Sequence, residues 1–383
     1  MIAQLTVDSF KSIQNAKLDF GQVNVFIGAN GSGKSNLLEA IAVLSAAAGG
    51  KVDLPALLWR GCRPSGYFRP MFADSSAENR VLLKATGDRA FYEVSLAAPP
   101  PSRRHAWRYL SERWGETEAS VVATPSTRDP YAGIAALTLA VTPPENPEAK
   151  FLKALAAFSI YSAAPPILHG WAQDPQEREP IGLGGGRLAE AIQELVSLKD
   201  RQGDALAEEF AASLEWFGGF FAIEMSDPQS RTKDLAFVDR HFRREGNHSF
   251  LLSPDDVNEG ALYLAFLAVL GLHPEAPTIF AVENVDHGLN PLLAKRLMAT
   301  LTSRILASER KRQVFLTTHN PLVLDGLPLG DERVRLFTVD RDNEGRTIIQ
   351  RFLVTEKHRE MAAQGWTLSR MWVNKLIGGV PDV

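Results

Sequence analysis

A glycine-rich segment near the N-terminus, GANGSGKS at residues 28–35, carries the clearest chemistry in this sequence of 383 residues. It fits the pattern GxxxxGK[ST], in which glycines let the chain curl so that backbone N–H groups point inward at phosphate oxygens. In such loops the lysine, here Lys34, reaches the β- and γ-phosphates, and the hydroxyl, here that of Ser35, ligates Mg²⁺. The expected nucleotide contacts come from one short stretch: Asn30, Gly31, Gly33, Lys34, Ser35 and Asn36.

A carboxylate at the end of a later apolar strand supplies a second chemical signal. The strand predicted over residues 278–282 runs into Glu283. The acid on the metal side of a P-loop ATPase occupies this kind of position, so Glu283 and Ser35 are the predicted Mg²⁺ ligands. The loop alone does not choose among kinases, GTPases and ATPases, and this acid strand favours an ATPase.

A histidine follows the next predicted strand, which covers residues 313–317. Taken alone, His319 is best explained as a hydrogen-bonded histidine at a strand end. Its position one strand after the acid strand favours the other explanation, in which it faces the γ-phosphate.

The elements around these residues must bring distant parts of the chain together. An apolar run at residues 23–27 predicts a buried strand before the loop, and residues 36–48 have the apolar spacing of a helix after it. The other predicted segments are strands over 2–8, 13–20, 80–86, 91–97, 334–339 and 347–353, and helices over 187–198, 203–217, 258–271 and 291–307. This order predicts an α/β fold, with one nucleotide-binding domain whose halves are split by a middle insertion.

The composition excludes several classes of protein. Hydrophobic residues make up 45% of the chain and charged residues 22%, which is typical of a folded protein and excludes disorder as the main state. A net charge of −4 excludes a histone-like basic protein, and the single cysteine, Cys62, excludes a disulfide framework or a cysteine-based zinc cluster. No apolar run is long enough for a membrane span and the N-terminus lacks the pattern of a signal peptide, so we expect a cytoplasmic protein without membrane contact.

Three segments together resemble the RecF/SMC/OLD-type ABC ATPases: SFKSIQNAKLDFGQVNVFIGANGSGKSNLLEAI, FAVENVDHGLNP and FLTTHNPLVLDGL. The likeness covers about the first 45 and the last 130 residues. It implies ATP as the nucleotide and an ABC-type P-loop NTPase fold, with a mixed central sheet, an antiparallel N-terminal β element and a helical middle insertion. The expected division is an N-terminal lobe over 1–130, a largely helical insertion over 131–250 and a C-terminal lobe over 251–383.

The resemblance also implies roles for residues outside the loop. A signature segment that caps the γ-phosphate bound by the partner subunit would fall on Asn258–Gly260. The alternative is that Asn258 is a plain helix N-cap and does nothing more. Lys11, in the turn Phe10-Lys11-Ser12, could lie near the nucleotide or could be a solvated lysine.

The acid strand departs from the family pattern. Aligned on residues 288–291, Asn284 occupies the position of the glutamate that polarises the attacking water. An amide orients water but cannot accept its proton, so hydrolysis would be slow, or Asp286 or His319 would serve as the base. The candidate catalytic residues are Glu283, Asn284, Asp286 and His319.

The resulting expectation is a slowly hydrolysing ATPase that forms a head-to-head homodimer and acts as a nucleotide switch in bacterial genome maintenance or anti-phage defence. A separately encoded effector or nuclease is the expected partner, since no nuclease constellation is visible in the chain. The alternative is an ATP-gated scaffold that does not hydrolyse; the ATPase subunit of a membrane transporter fits the motifs less well. DNA binding stays open, because the basic clusters at 103–105, 240–244 and 310–312 are short and typical of solvated faces.

Overall fold

Strand β3 (Val23–Ile27), which leads into the P-loop, is buried along its whole length in the middle of the largest sheet. The computed structural model describes residues 1–63, 71, 80–97, 107–116, 129–198, 201–224, 233–244 and 248–380. Because both faces of β3 are covered, its sequence VNVFI is a nearly continuous apolar run rather than an alternating one.

Fourteen strands lie in the described part of the chain. The strands other than β3 are β1 (Gln4–Phe10), β2 (Ile13–Asp19), β4 (Arg80–Thr86), β5 (Phe91–Ala97), β6 (Arg108–Gly115), β7 (Ser159–Tyr161), β8 (Phe217–Glu224), β9 (Lys233–Arg244), β10 (His248–Leu252), β11 (Ile279–Val282), β12 (Gln313–Thr318), β13 (Val334–Arg341) and β14 (Thr347–Phe352).

Eleven α-helices lie in the same described ranges. They are α1 (Lys34–Ala48), α2 (Leu54–Trp59), α3 (Ala135–Val141), α4 (Pro147–Ala156), α5 (Pro165–Leu168), α6 (Leu188–Ser197), α7 (Arg201–Ser213), α8 (Glu259–Leu272), α9 (Pro291–Ala307), α10 (Glu356–Ala363) and α11 (Leu368–Val373). None of the described helices is long and apolar enough to span a bilayer.

The central sheet has six strands in the order β14-β13-β3-β12-β11-β7. Five of them are parallel, and β14 pairs antiparallel with β13 at one edge. Parallel strands end at the same edge of a sheet, so the loops after β3, β12 and β11 meet at one place. These are the loops on which the sequence places the P-loop, His319 and Glu283.

Two buried apolar clusters cover the two faces of this sheet. Val23, Val25 and Ile27 of β3 face the cluster that contains α6, α8 and α9, whereas Phe26 faces the cluster that contains α1. The second cluster also includes an antiparallel five-stranded sheet in the order β2-β1-β4-β5-β6. The molecule is therefore a layered α/β structure with a mixed central sheet and an antiparallel N-terminal sheet, which confirms the predicted fold class.

The middle segment contains more strand than the sequence predicts. Helices α3 to α7 lie between residues 131 and 250, but so do β7, which joins the central sheet, and most of the antiparallel sheet β10-β9-β8. The helix expected over 203–217 ends at Ser213, because Gly218 and Gly219 follow and Phe217 already begins β8. The division of the chain at residues 130 and 250 stays a prediction.

Candidate functional site

The P-loop connects β3 to the N-terminus of α1, and its shape depends on Gly33. This residue has φ of 113° and is the N-cap of α1, and a Cβ on it would lie 2.0 Å from the Thr347 Oγ1 atom. Only glycine fits both conditions. No acidic residue belongs to the first turn of α1, so none of the helix's own side chains opposes the positive end of its dipole. Asn30 and Gly31 lie exposed at the tip of the loop.

Lys34 is buried rather than exposed on the loop. Its Nζ atom donates to the carbonyl oxygens of Gly28 at 2.7 Å and Ala29 at 2.8 Å. Burial lowers the pKa of Lys34, while the charges of Glu283 and Asp286 oppose that shift. The ammonium thus closes the loop on itself in this structure and lies within the field of both carboxylates.

Ser35 and Glu283 meet although 248 residues separate them. The Ser35 hydroxyl donates a short hydrogen bond to the Glu283 Oε1 atom. The main-chain N–H of Glu283 donates to the carbonyl of Tyr161 at 2.9 Å, which ties the acid to the end of β7. A hydroxyl and a carboxylate side by side are hard oxygen ligands of the kind that Mg²⁺ takes together with phosphate oxygens and water. The described residues contain no group of three or more His, Cys, Asp or Glu side chains that could hold a metal ion by themselves.

Asn284 has a left-handed backbone, with φ of 52°. Its N–H donates to the Thr317 Oγ1 atom at 3.0 Å and its carbonyl accepts from the Tyr263 hydroxyl at 3.0 Å. Asparagine adopts this conformation more readily than glutamate, so the backbone supplies a physical reason for an amide at this position. The sequence gives no indication of this constraint.

Asp286 is buried and held in place by its neighbour on β12. The Thr318 hydroxyl donates to the Asp286 Oδ1 atom at 2.7 Å. Burial raises the pKa of Tyr263, and the charge of Asp286 adds to that effect. Asp286 therefore contributes negative charge beneath the site, whereas His319, directly after β12, is exposed and free to meet a ligand.

The signature-like segment begins α8. The Asn258 side chain accepts from the Ala261 N–H at 2.9 Å, so Asn258 is the N-cap of the helix. A Cβ on Gly260 would lie 3.3 Å from the carbonyl oxygen of Gly288, which shows how closely the segment packs on the loop after Glu283. Asn258 is exposed beside a groove of about 1040 Å³.

Lys11 and Asn36 are engaged inside the protein. The Lys11 ammonium makes a short ion pair with Glu39 of α1, and only 7% of the Lys11 side chain is exposed. This contact excludes the solvated lysine expected as one alternative. Asn36 donates through Nδ2 to the Ser12 hydroxyl oxygen at 2.6 Å.

Several residues that support the site are not apparent from the sequence. Thr347 and Arg341 of the β13–β14 hairpin contact the P-loop backbone, and Glu39 binds both Lys11 and Arg63. Sequence spacing carries no signal for the contacts of Thr347 and Arg341, because more than 300 residues separate the hairpin from the loop.

The basic clusters give little support to DNA binding. Arg312 is buried and donates to the carbonyls of Gly271 and His273 at the end of α8. Arg310 donates to the carbonyl of Pro274. The cluster at 103–105 and the side chains of Arg243 and Arg244 lie outside the described residues.

Two family models match the chain. The family described as "AAA ATPase domain" matches residues 1–79, and the family described as "AAA domain, putative AbiEii toxin, Type IV TA system" matches residues 135–325. The first match contains the P-loop, and the second contains Asn258, Glu283 and His319.

Curated relatives match only parts of the chain. An uncharacterized protein of Methanocaldococcus jannaschii is 27% identical over 124 residues, which are 28% of this chain and 57% of that protein. The DNA replication and repair protein RecF of a Thermoanaerobacter species is 47% identical over 45 residues, or 12% of each chain. The chain thus spans little more than half of the first relative and a small part of the second.

Solved structures with this fold include heads of SMC proteins. An SMC head bound to the C-winged helix domain of ScpA has a TM-score of 0.53 at 14% identity, over 93% of this chain and 99% of that one. The SMC head domain from Thermotoga maritima has a TM-score of 0.46 at 14% identity, over 92% and 99%. The first of these likenesses shows the fold. The two ATPase-domain family models, the short RecF match and the SMC-head fold together confirm the resemblance to RecF/SMC-like P-loop ATPases that the motifs predict.

Proposed function

We propose that the protein binds Mg·ATP at the P-loop and hydrolyses it slowly. The observation that carries this proposal is the contact between Ser35 and Glu283, beside Lys34 and at the N-terminus of α1. In this arrangement an ammonium, a helix dipole and a pair of hard oxygen ligands converge on one point, as a triphosphate with its metal requires.

Each residue has a distinct part in the proposed reaction. Lys34 would leave the loop carbonyls to bind the phosphates, and Ser35 and Glu283 would hold Mg²⁺. The metal neutralises phosphate charge when bound. Asn284 orients the attacking water through its amide but accepts no proton, so the reaction depends mainly on positioning and charge stabilisation. His319, exposed after β12, reaches the γ-phosphate side more readily than the anchored Asp286.

A steady-state phosphate-release assay with Mg·ATP tests this proposal. The wild type should release phosphate slowly, and Glu283→Gln should abolish release because it removes the charged metal ligand. Asn284→Glu is the informative comparison. If the wild type is silent and this variant is active, the chain is a nucleotide-gated scaffold rather than an ATPase.

The proposed active assembly is a head-to-head homodimer. Asn258–Gly260 of one subunit would face the nucleotide held by the P-loop of the other, which agrees with the exposure of Asn258. Light scattering with and without Mg·ATP tests this step, with Lys34→Ala as the control that removes nucleotide binding. A monomer under both conditions would remove the cross-subunit site.

For the biological role we propose a cytoplasmic switch in genome maintenance or anti-phage defence, acting on a separately encoded effector or nuclease. The name of the RecF relative supports the first role, and the toxin–antitoxin description of the matching family supports a defence setting. An effector gene beside this one, and co-purification of its product only with Mg·ATP, are the expected observations. A product that co-purifies equally without nucleotide would contradict the switch.

A further inference from the structure

The carbonyl groups of the P-loop reveal what holds its shape. A loop that points N–H groups at a phosphate must turn carbonyls outward, and an outward carbonyl needs a donor. The carbonyls of Gly28 and Ala29 accept hydrogen bonds from Lys34, which must give up both bonds when it binds phosphate. The Ser32 carbonyl instead accepts from the Thr347 Oγ1 atom at 2.9 Å.

Thr347 is the last side chain in a series of hydrogen bonds that all donate in the same direction, toward the Ser32 carbonyl. Its single hydroxyl proton goes to the Ser32 carbonyl, so Thr347 Oγ1 must accept from the Ser12 hydroxyl, 2.6 Å away. Ser12 Oγ in turn accepts from the Asn36 amide at 2.6 Å. The hydroxyls of Thr347 and Ser12 are buried, and buried chains of this kind strengthen each link.

The backbone reinforces this contact. The Thr347 N–H donates to the Ser12 carbonyl at 2.8 Å, and the hairpin approaches Gly33 so closely that no side chain fits there. In a trans peptide the C=O and N–H groups point in opposite directions. A Ser32 carbonyl held by the hairpin therefore turns the Gly33 N–H away from Thr347 and into the cradle.

We propose that Thr347 is a positioning residue for the P-loop: its hydroxyl fixes the Ser32–Gly33 peptide so that the Gly33 N–H faces the phosphate. This inference rests on the proposed nucleotide binding and assigns a part of that site to the β13–β14 hairpin. Unlike Lys34, Thr347 keeps its contact when the ligand arrives, so the loop is shaped before it is filled.

Three variants test the role of the hydroxyl. Thr347→Val removes it at nearly constant volume, Thr347→Ser retains it, and Thr302→Val is a matched control because the buried Thr302 hydroxyl has no hydrogen-bond partner in the described structure. Calorimetric titration with Mg·ADP should give about tenfold weaker binding for Thr347→Val, which is the effect of about one lost hydrogen bond. The Ser variant and the Thr302 control should stay within about twofold of the wild type.

Amide hydrogen exchange in the nucleotide-free protein provides a second readout that does not depend on binding. Thr347→Val should raise exchange selectively in a peptide covering residues 28–36, and Thr302→Val should not. Faster exchange with unchanged affinity, or no change in either, would overturn the proposal. If the wild type binds no nucleotide but Thr347→Val still raises exchange in residues 28–36, the proposed function is wrong. The finding that Thr347 fixes the loop would then remain.

Discussion

The buried ion pair between Lys11 and Glu39 allows a sharp test of what Lys11 does. We expect Glu39→Gln to destabilise the protein by about 3 kcal/mol, because it leaves the Lys11 ammonium buried without its carboxylate. Only 2% of the Glu39 side chain is exposed, whereas Arg63, its second partner, is 56% exposed and adds at most about 1 kcal/mol. Lys11→Met should have the smaller effect, since Arg63 still neutralises Glu39.

The dependence on pH follows from the pKa of Glu39. Burial alone would raise this pKa, but the hydrogen bonds from Arg63 and the charge of Lys11 outweigh burial and lower it below 4.5. A carboxyl with a depressed pKa stabilises the fold fully above its unfolded value and loses that contribution as pH falls through the folded value. The stability difference between wild type and Glu39→Gln should therefore persist at neutral pH and shrink below about pH 4.5.

Urea unfolding followed by fluorescence measures the effect, with a titration of Mg·ATP on the same samples. Glu145→Gln is the matched control, because Glu145 makes an exposed ion pair with Lys150 and its loss should change stability by less than about 1 kcal/mol. If Glu39→Gln unfolds at the wild-type midpoint and Lys11→Met weakens ATP binding tenfold or more, then Lys11 acts on the nucleotide and the structural explanation is wrong.

Further outcomes can be measured on single variants. In urea unfolding, Arg312→Met should destabilise the protein by about 2–4 kcal/mol, because two carbonyls at the end of α8 lose their hydrogen-bond donor. The control Arg310→Met, at an exposed position, should change stability by less than about 1 kcal/mol. His319→Ala should leave the unfolding midpoint unchanged and lower phosphate release at least about tenfold, as expected of an exposed group that acts on the γ-phosphate. Asn284→Asp should speed phosphate release by about tenfold or more, because aspartate suits the left-handed backbone and supplies a carboxylate that can accept a proton. An unchanged rate would show that the missing proton acceptor at this position does not limit hydrolysis.

Patterns within one segment were enough to predict much of the scaffold. The P-loop, its flanking strand and helix, and the hairpins 80–97 and 334–352 were all predictable, because apolar periodicity and Gly-rich turns act locally. Glu283 was expected near Ser35 because it ends an apolar strand, where the metal-side acid of a P-loop ATPase lies. The three-residue β7 was not predicted, since so short a strand is stabilised by pairing with β11 rather than by its own sequence.

The missed parts of the site share one physical cause. Lysine is rarely buried, so the sequence around Lys11 does not predict its buried ion pair with Glu39. Lys34 is likewise buried and bonded to the loop, which the pattern GxxxxGK does not specify. Thr347 looks like an ordinary strand threonine until the hairpin is placed beside Ser32. Contacts of this kind depend on which distant surfaces meet, and local propensity does not encode that.

The central place of β3 also bears on how the protein is made. Its neighbours β12 and β13 begin about 290 and 310 residues after it in the sequence. During synthesis at roughly 5–20 residues per second, this apolar strand waits on the order of 15–60 s before either partner emerges from the ribosome. Over that interval both hydrogen-bonding edges of β3 are open to wrong partners. The nascent chain therefore has reason to engage a chaperone, and a nucleotide cannot help it fold until β12 and the β13–β14 hairpin have been translated.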